Sequence, residues 1–266
     1  MSNKPRDESP TAAFEADEWM RLLPRQEQNL EQQQEGDLFG IVLVANWPPN
    51  DSITQPYTQF LPKVKTYFDA EDYKLKGPHN TPAVYLYPPH TLHITIATFT
   101  TFNAPEPNDR DEYAQACKTI TEIAFARPDW PNRPFSIEID RVHIGCKAGV
   151  LLWENTDGVV GIMRTIVQEE YDTFYKGNPA ALNHRDHLII PGIIHTSFLR
   201  FGRSPQTNRV DVKKRFEEDA NDIKDCFGKI EVNSVRLAVE RIPYMHIPYD
   251  ERHVLTSFEV SAEINE

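Results

Sequence analysis

From Pro88 to Phe99 the chain reads PPHTLHITIATF. Leu92, Ile94 and Ile96 fall on one parity, and His93, Thr95 and Ala97 on the other. Successive side chains of a strand point to opposite faces, so this segment reads as a strand with one face against apolar core and the other carrying a titratable ring beside a hydroxyl. The pattern returns in PGIIHTSFLRF, Pro191 to Phe201, where His195 and Ser197 keep the two-residue spacing, 102 residues after the first histidine. Two such strands constrain the fold strongly. Each needs a sheet covered on one side and accessible on the other, which points to an α+β domain with helices outside and both histidine strands central.

The rest of the chain fits that frame. Short β-branched or apolar runs predict strands at 38–45, 83–87, 92–98, 135–145, 149–154, 194–201, 229–242 and 253–260. Helical spacing of apolar residues predicts helices over 56–68, 109–126, 157–175 and 207–225. The second half repeats the grammar of the first, with one His-x-Ser/Thr strand in each, so one compact unit of two lobes sharing a cleft is expected over 37–266. Residues 1–36, with the run RQEQNLEQQQEG, hold few large apolar side chains and read as a largely disordered tail. Within it, Ala12 to Leu23 has the spacing of a short amphipathic helix.

The formal net charge is −12, and the tail's eight acids and four bases supply part of it. A chain that grips long nucleic acid by its phosphates carries a basic footprint, so extended RNA or DNA is not the expected partner, whereas a small phosphorylated ligand in a locally basic pocket is compatible. The most basic stretch, Arg200 to Arg215, follows the second histidine strand and reads equally as a solvated helix face or as an anion-attracting rim. Three sparse cysteines, Cys117, Cys146 and Cys226, fit a reducing compartment. No apolar run reaches the length of a membrane span, and the start of the chain lacks a secretory core. A cytoplasmic location is expected, with the nucleus also compatible, and a monomer.

Residues i and i+2 of a strand share a face, about 7 Å apart. Two such strands side by side would present two imidazoles and two hydroxyls to one cleft. Histidine titrates near neutrality, so one ring can accept a proton while the other donates one. The hydroxyls can donate to non-bridging phosphate oxygens as charge builds on phosphorus. LHITIATF and HTSFLRF resemble the two His-x-Thr/Ser signatures of the 2H phosphoesterase superfamily, which includes 2′,5′-RNA ligase-like proteins and cyclic phosphodiesterases. The resemblance implies a bilobal, pseudo-symmetric α+β fold with two antiparallel sheets flanking a central cleft, each lobe supplying one motif strand. It implies His93 and His195 as catalytic histidines and Thr95 and Ser197 as phosphate-binding hydroxyls. It further implies metal-independent hydrolysis of a 2′,3′-cyclic phosphate or related phosphodiester, without cofactor, on a small nucleotide or short RNA end. Arg200 matches an arginine that ends the second motif in the ligase-like branch. Its parity is opposite to that of His195, so on a regular strand it would face away from the cleft.

Other chemistries fit less well. His90 and His93 have a helical three-residue spacing, but Pro88 and Pro89 precede them and the sequence then alternates as a strand, which points them to opposite faces. His184 and His187 lie in a polar loop with Asp186 as the nearby carboxylate, short of the three or four convergent ligands of a zinc site. No metal is therefore expected. A G-x-S-x-G elbow is absent, and the eleven glycines are scattered rather than gathered in a phosphate loop. Trp47, Tyr244 and Tyr249 could stack on a base or pack loops on the core. A protein of the same fold that binds phosphorylated nucleotides or RNA ends without turnover is the alternative in a different functional class.

Overall fold

The computed structural model describes residues 39–74, 82–101, 109–145, 147–178, 188–202, 205–241 and 249–260. The expected tail, the amphipathic segment at 12–23, Cys146, His184, Asp186, His187, Arg203 and Tyr244 lie outside them. Nine strands are described: β1 (Gly40–Ala45), β2 (Val84–Leu86), β3 (Ile94–Thr100), β4 (Phe135–Ile144), β5 (Ala148–Glu154), β6 (Ile194–Phe201), β7 (Ile230–Val232), β8 (Ser234–Glu240) and β9 (Val254–Glu259). With them are the helices α1 (Asp51–Lys65), α2 (Arg110–Ala126), α3 (Val159–Gly177), α4 (Arg209–Glu218) and the short α5 (Ala220–Lys224).

The strands form two antiparallel sheets, in the order β3-β1-β8-β9 and β2-β6-β5-β4-β7. Each motif strand thus belongs to a different sheet. The lobes are not the two halves of the sequence. The last two strands join β1 in the four-stranded sheet, and β2 from the first half lies beside β6. Helices cross over as well. Phe60 of α1 packs edge-on against Phe198 of β6, with ring centroids 5.0 Å apart, so α1 backs the five-stranded sheet. Tyr171 of α3 packs against Phe99 of β3, so α3 backs the four-stranded one.

Burial marks the covered face. Ile94, Ile96 and Phe99 of β3 are fully buried, as are Phe198 and Leu199 of β6. Burying a side chain of this size contributes about 1.5–3 kcal/mol, so each strand is held chiefly by its back face. The helices lie on those backs, and the opposite faces, with both histidines, turn toward each other. Cα atoms of β3 and β6 come within 8 Å. The lobes are also hydrogen-bonded, because Thr98 of β3 exchanges backbone bonds of 2.9 and 2.8 Å with Ile189, just ahead of β6.

Three elements differ from the sequence expectation. The run 229–242 is two strands, and at Asn233 the chain leaves the five-stranded sheet and enters the other. The helix expected over 207–225 breaks at Asp219, whose carboxylate accepts from the Tyr67 hydroxyl. Helix α1 begins five residues before Pro56 and contains both Pro56 and Pro62, because Ile53, Tyr57, Phe60 and Val64 still form one buried stripe.

Candidate active site

His93 stands one residue ahead of β3, and Thr95 is the second residue of that strand. Thr95 lies opposite Val44 of β1, on the open face, and both His93 and Thr95 are half-buried. His195 and Ser197 occupy the open face of β6, opposite Leu152 and Val150 of β5, and are likewise half-buried. The back-pointing residue between them, Thr196, is buried and accepts from the Trp153 indole at 3.0 Å. The structure therefore brings the two His-x-Ser/Thr pairs together. The strands approach closely, and the charge of His93 acts on His195.

Arg200 does not face away. Opposite Ser197 stands Val150, while opposite Leu199 stands Gly149, so Phe198 is an extra residue, a β-bulge. The bulge reverses the parity beyond it: Phe198 and Leu199 are both fully buried, and Arg200 returns to the open face with His195 and Ser197. Its charge reaches both histidines, and its Nε donates to the Tyr87 hydroxyl at 3.2 Å. Gly149 makes the bulge sterically feasible. A Cβ at that position would sit 2.6 Å from the Phe198 ring. A matching bulge follows Thr95, where Ile96 is the extra residue, and it brings Thr98 to the open face of β3.

The two rings are held differently. Nδ1 of His93 lies 2.9 Å from the Thr91 carbonyl oxygen. A carbonyl can only accept, so Nδ1 carries the proton and Nε2 is the lone-pair atom of the neutral ring. Burial pushes His93 below the ordinary imidazole range, the Thr91 bond opposes this, and the Arg200 charge adds to the lowering. His195 is pushed down to about 4, first by burial, then by the charges of His93, Arg164 and Arg200. The Ile193 carbonyl is the weakest of these influences and acts in the opposite direction, and Nδ1 of His195 is buried without a well-formed hydrogen bond.

Arg164 was not singled out from the sequence. It interrupts the apolar run VVGIMRTIV on the inner face of α3, a lone cation between Val160 and Val167, and that interruption is the signal that could have found it. Three other cations of the basic stretch serve packing or surface pairing. Arg215 donates to the Tyr67 carbonyl at 2.8 Å, Arg209 lies over the Phe201 ring at 5.4 Å, and Lys214 pairs with Glu218 at 3.8 Å. Arg200 is a member of the basic stretch whose charge acts on the histidines. Trp47 is fully buried, edge-on to Tyr249 at 5.0 Å, and offers no face for a base. Among the described residues no three His, Cys, Asp or Glu side chains gather as a metal site, and no helix is long and apolar enough to cross a membrane.

Neither a family model nor a curated protein matches the sequence. Solved structures do match. A conserved protein of unknown function from Agrobacterium tumefaciens, ATU0111, superposes with a TM-score of 0.53 at 12% identity, over 89% of this chain and 93% of that one. That protein and this chain share one fold. Looser matches are E. coli LigT complexed with 3′-AMP, with a TM-score of 0.46 at 11% identity over 85% of this chain and 100% of that one, and TT0787 of Thermus thermophilus, with 0.43 at 13% over 84% and 99%. At 12% identity the likeness to ATU0111 is one of fold.

Proposed function

We propose that this chain is a phosphoesterase of the 2H type that hydrolyses a 2′,3′-cyclic phosphate, or a related phosphodiester, of a nucleotide or RNA end. His93 and His195 act as paired acid and base without a metal. The observation that carries this reading is the meeting, from two different sheets, of two imidazoles that each have a hydroxyl on the same open face. In the reaction one neutral imidazole takes a proton from water as its oxygen bonds to phosphorus. The other, protonated, gives its proton to the ribose oxygen as the P–O bond of the ring breaks. The product is a monoester. The two rings have exchanged protonation states, which solvent restores. Thr95 and Ser197 donate to the non-bridging oxygens, and Arg200 supplies the positive charge that a pentacovalent phosphorane requires. The acidic balance of the chain, and the engagement of Arg209, Lys214 and Arg215 elsewhere, favour a small ligand or short end over a long polyanion.

The test is turnover of 2′,3′-cyclic nucleotides by the purified protein in the presence of a chelator, beside His93→Ala and His195→Ala. Each variant is expected to lose about 10³-fold or more in kcat, the scale of removing a general acid or base. Turnover that survives either substitution overturns the mechanism. Tight nucleotide binding without product would instead mark a binding protein.

A further inference from the structure

The two motif histidines stand in the same relation to their own backbone, each following a carbonyl two residues earlier. For His93 that carbonyl, of Thr91, accepts from Nδ1. For His195 it is that of Ile193, which accepts from Arg164 Nη2 at 2.9 Å and acts on the ring only weakly. The same Nη2 donates to the Thr95 carbonyl at 2.9 Å, and Nε donates to Ile96 at 3.3 Å. Thr95 and Ile96 belong to β3, and Ile193 immediately precedes β6, so one guanidinium spans both motif strands. Two carbonyl oxygens sharing one nitrogen are closer together than twice that bond length. Arg164 is itself buried, and among the described residues no carboxylate acts on it: burial lowers it, to about 10.

We propose that Arg164 is a positioning residue of this site. It fixes the spacing of the two motif strands through three carbonyls, and by competing for the Ile193 carbonyl it makes His195 the ring that stays neutral and acts as base, leaving His93 as proton donor. The proposal rests on the phosphoesterase reading for its catalytic meaning. Its physical basis is independent of that reading. A carbonyl whose electron density is already drawn by a guanidinium offers less to an imidazolium Nδ1, and a second cation beside a buried arginine is repelled in a medium of low dielectric. His93 keeps its carbonyl, which favours its charged form. Among the described residues the charged or titratable groups acting on His195 are His93 ahead of β3, Arg164 on α3 and Arg200 on β6, while its partner on β5, Leu152, is apolar. The direction of the lowering at His195 agrees with this arrangement.

The experiment is an NMR titration of the two imidazoles in the wild-type protein, Arg164→Met and Arg164→Lys, with turnover measured on the same samples. In the wild type His195 is expected to titrate below His93. In Arg164→Met its midpoint should rise by about one pH unit, a tenfold change in proton affinity, while His93 moves less. Arg164→Lys keeps the charge but not the fork. It should hold the His195 midpoint low, yet lose about tenfold in kcat because three carbonyls are no longer tied. A wild-type His195 that titrates at or above His93 overturns the proposal, and this comparison needs no variant to fold. An unmoved His195 midpoint in folded Arg164→Met overturns it too. Failure of the phosphoesterase reading shows separately, as absent turnover by the wild type with the titrations still readable.

Discussion

β3 and β6 carry one device twice. Each presents a histidine, a hydroxyl two residues on, a bulge immediately after the hydroxyl, and a third open-face residue five positions beyond the histidine. They differ at that third residue, which is Thr98 on β3 and Arg200 on β6, and at the carbonyl two residues before the histidine, which serves the ring in one case and is shared with Arg164 in the other. Pseudo-symmetry therefore supplies equal placement, and the departures from it supply unequal electrostatics. The proposed hydrolysis, with one proton donor and one proton acceptor, needs both. Two identical environments would give both rings the same charge preference, and like-charged neighbours would oppose each other.

The comparison breaks most visibly at the third residue. Arg200→Ala is expected to lower kcat/KM for a cyclic nucleotide by about 100-fold, the scale of a charge-assisted hydrogen bond to phosphate, while Thr98→Ala costs less than about threefold. Equal losses would show that the bulges place equivalent groups rather than a cation against a bystander. The hydroxyls sharpen the symmetric part. Thr95→Ala and Ser197→Ala should each cost about tenfold, within a factor of a few of each other, in steady-state kinetics. A loss confined to one of them would mean that the phosphate sits on one strand.

Gly149→Ala tests the β6 bulge directly. Its Cβ would collide with the Phe198 ring, so urea unfolding should show a loss of about 1–3 kcal/mol. Leu43→Ala, opposite the β3 bulge, should instead act as an ordinary cavity mutation of about 2–5 kcal/mol without overpacking. The smallest effect is in pH dependence. With His195 lowered to about 4 and His93 lowered from 6.5, kcat/KM should rise through the first value and fall before 6.5 is reached. Both rings are harder to protonate in the folded state than in the unfolded chain. Their contribution to stability is thus full above pH 6.5 and is lost as pH falls toward 4, which unfolding midpoints across that range would register.

Much of the fold was legible because strand parity and helical spacing are local. The segments around His93 and His195 lie within two residues of their expected bounds, and both present the histidine and hydroxyl on the face opposite the apolar residues. The placement of Arg200 was not legible. The parity rule assumes an unbroken strand, and the bulge depends on Gly149 in a neighbouring strand making room for Phe198. The sheet switch at Asn233 was equally hidden, since IEV and SVRLAVE are strand-like whichever sheet receives them. Arg164 is legible in part, as a charge on an apolar stripe. Its partners are backbone carbonyls, which every residue has and no sequence distinguishes.

By itself the sequence determined that two strands each set a histidine and a hydroxyl against an apolar back, because side-chain alternation is a property of the strand alone. Only the tertiary structure decided that the two strands belong to different sheets and come close together, that a cation joins them there, and that the two rings differ. Those outcomes depend on which neighbour each backbone group finds, and that is settled by packing between segments far apart in the chain.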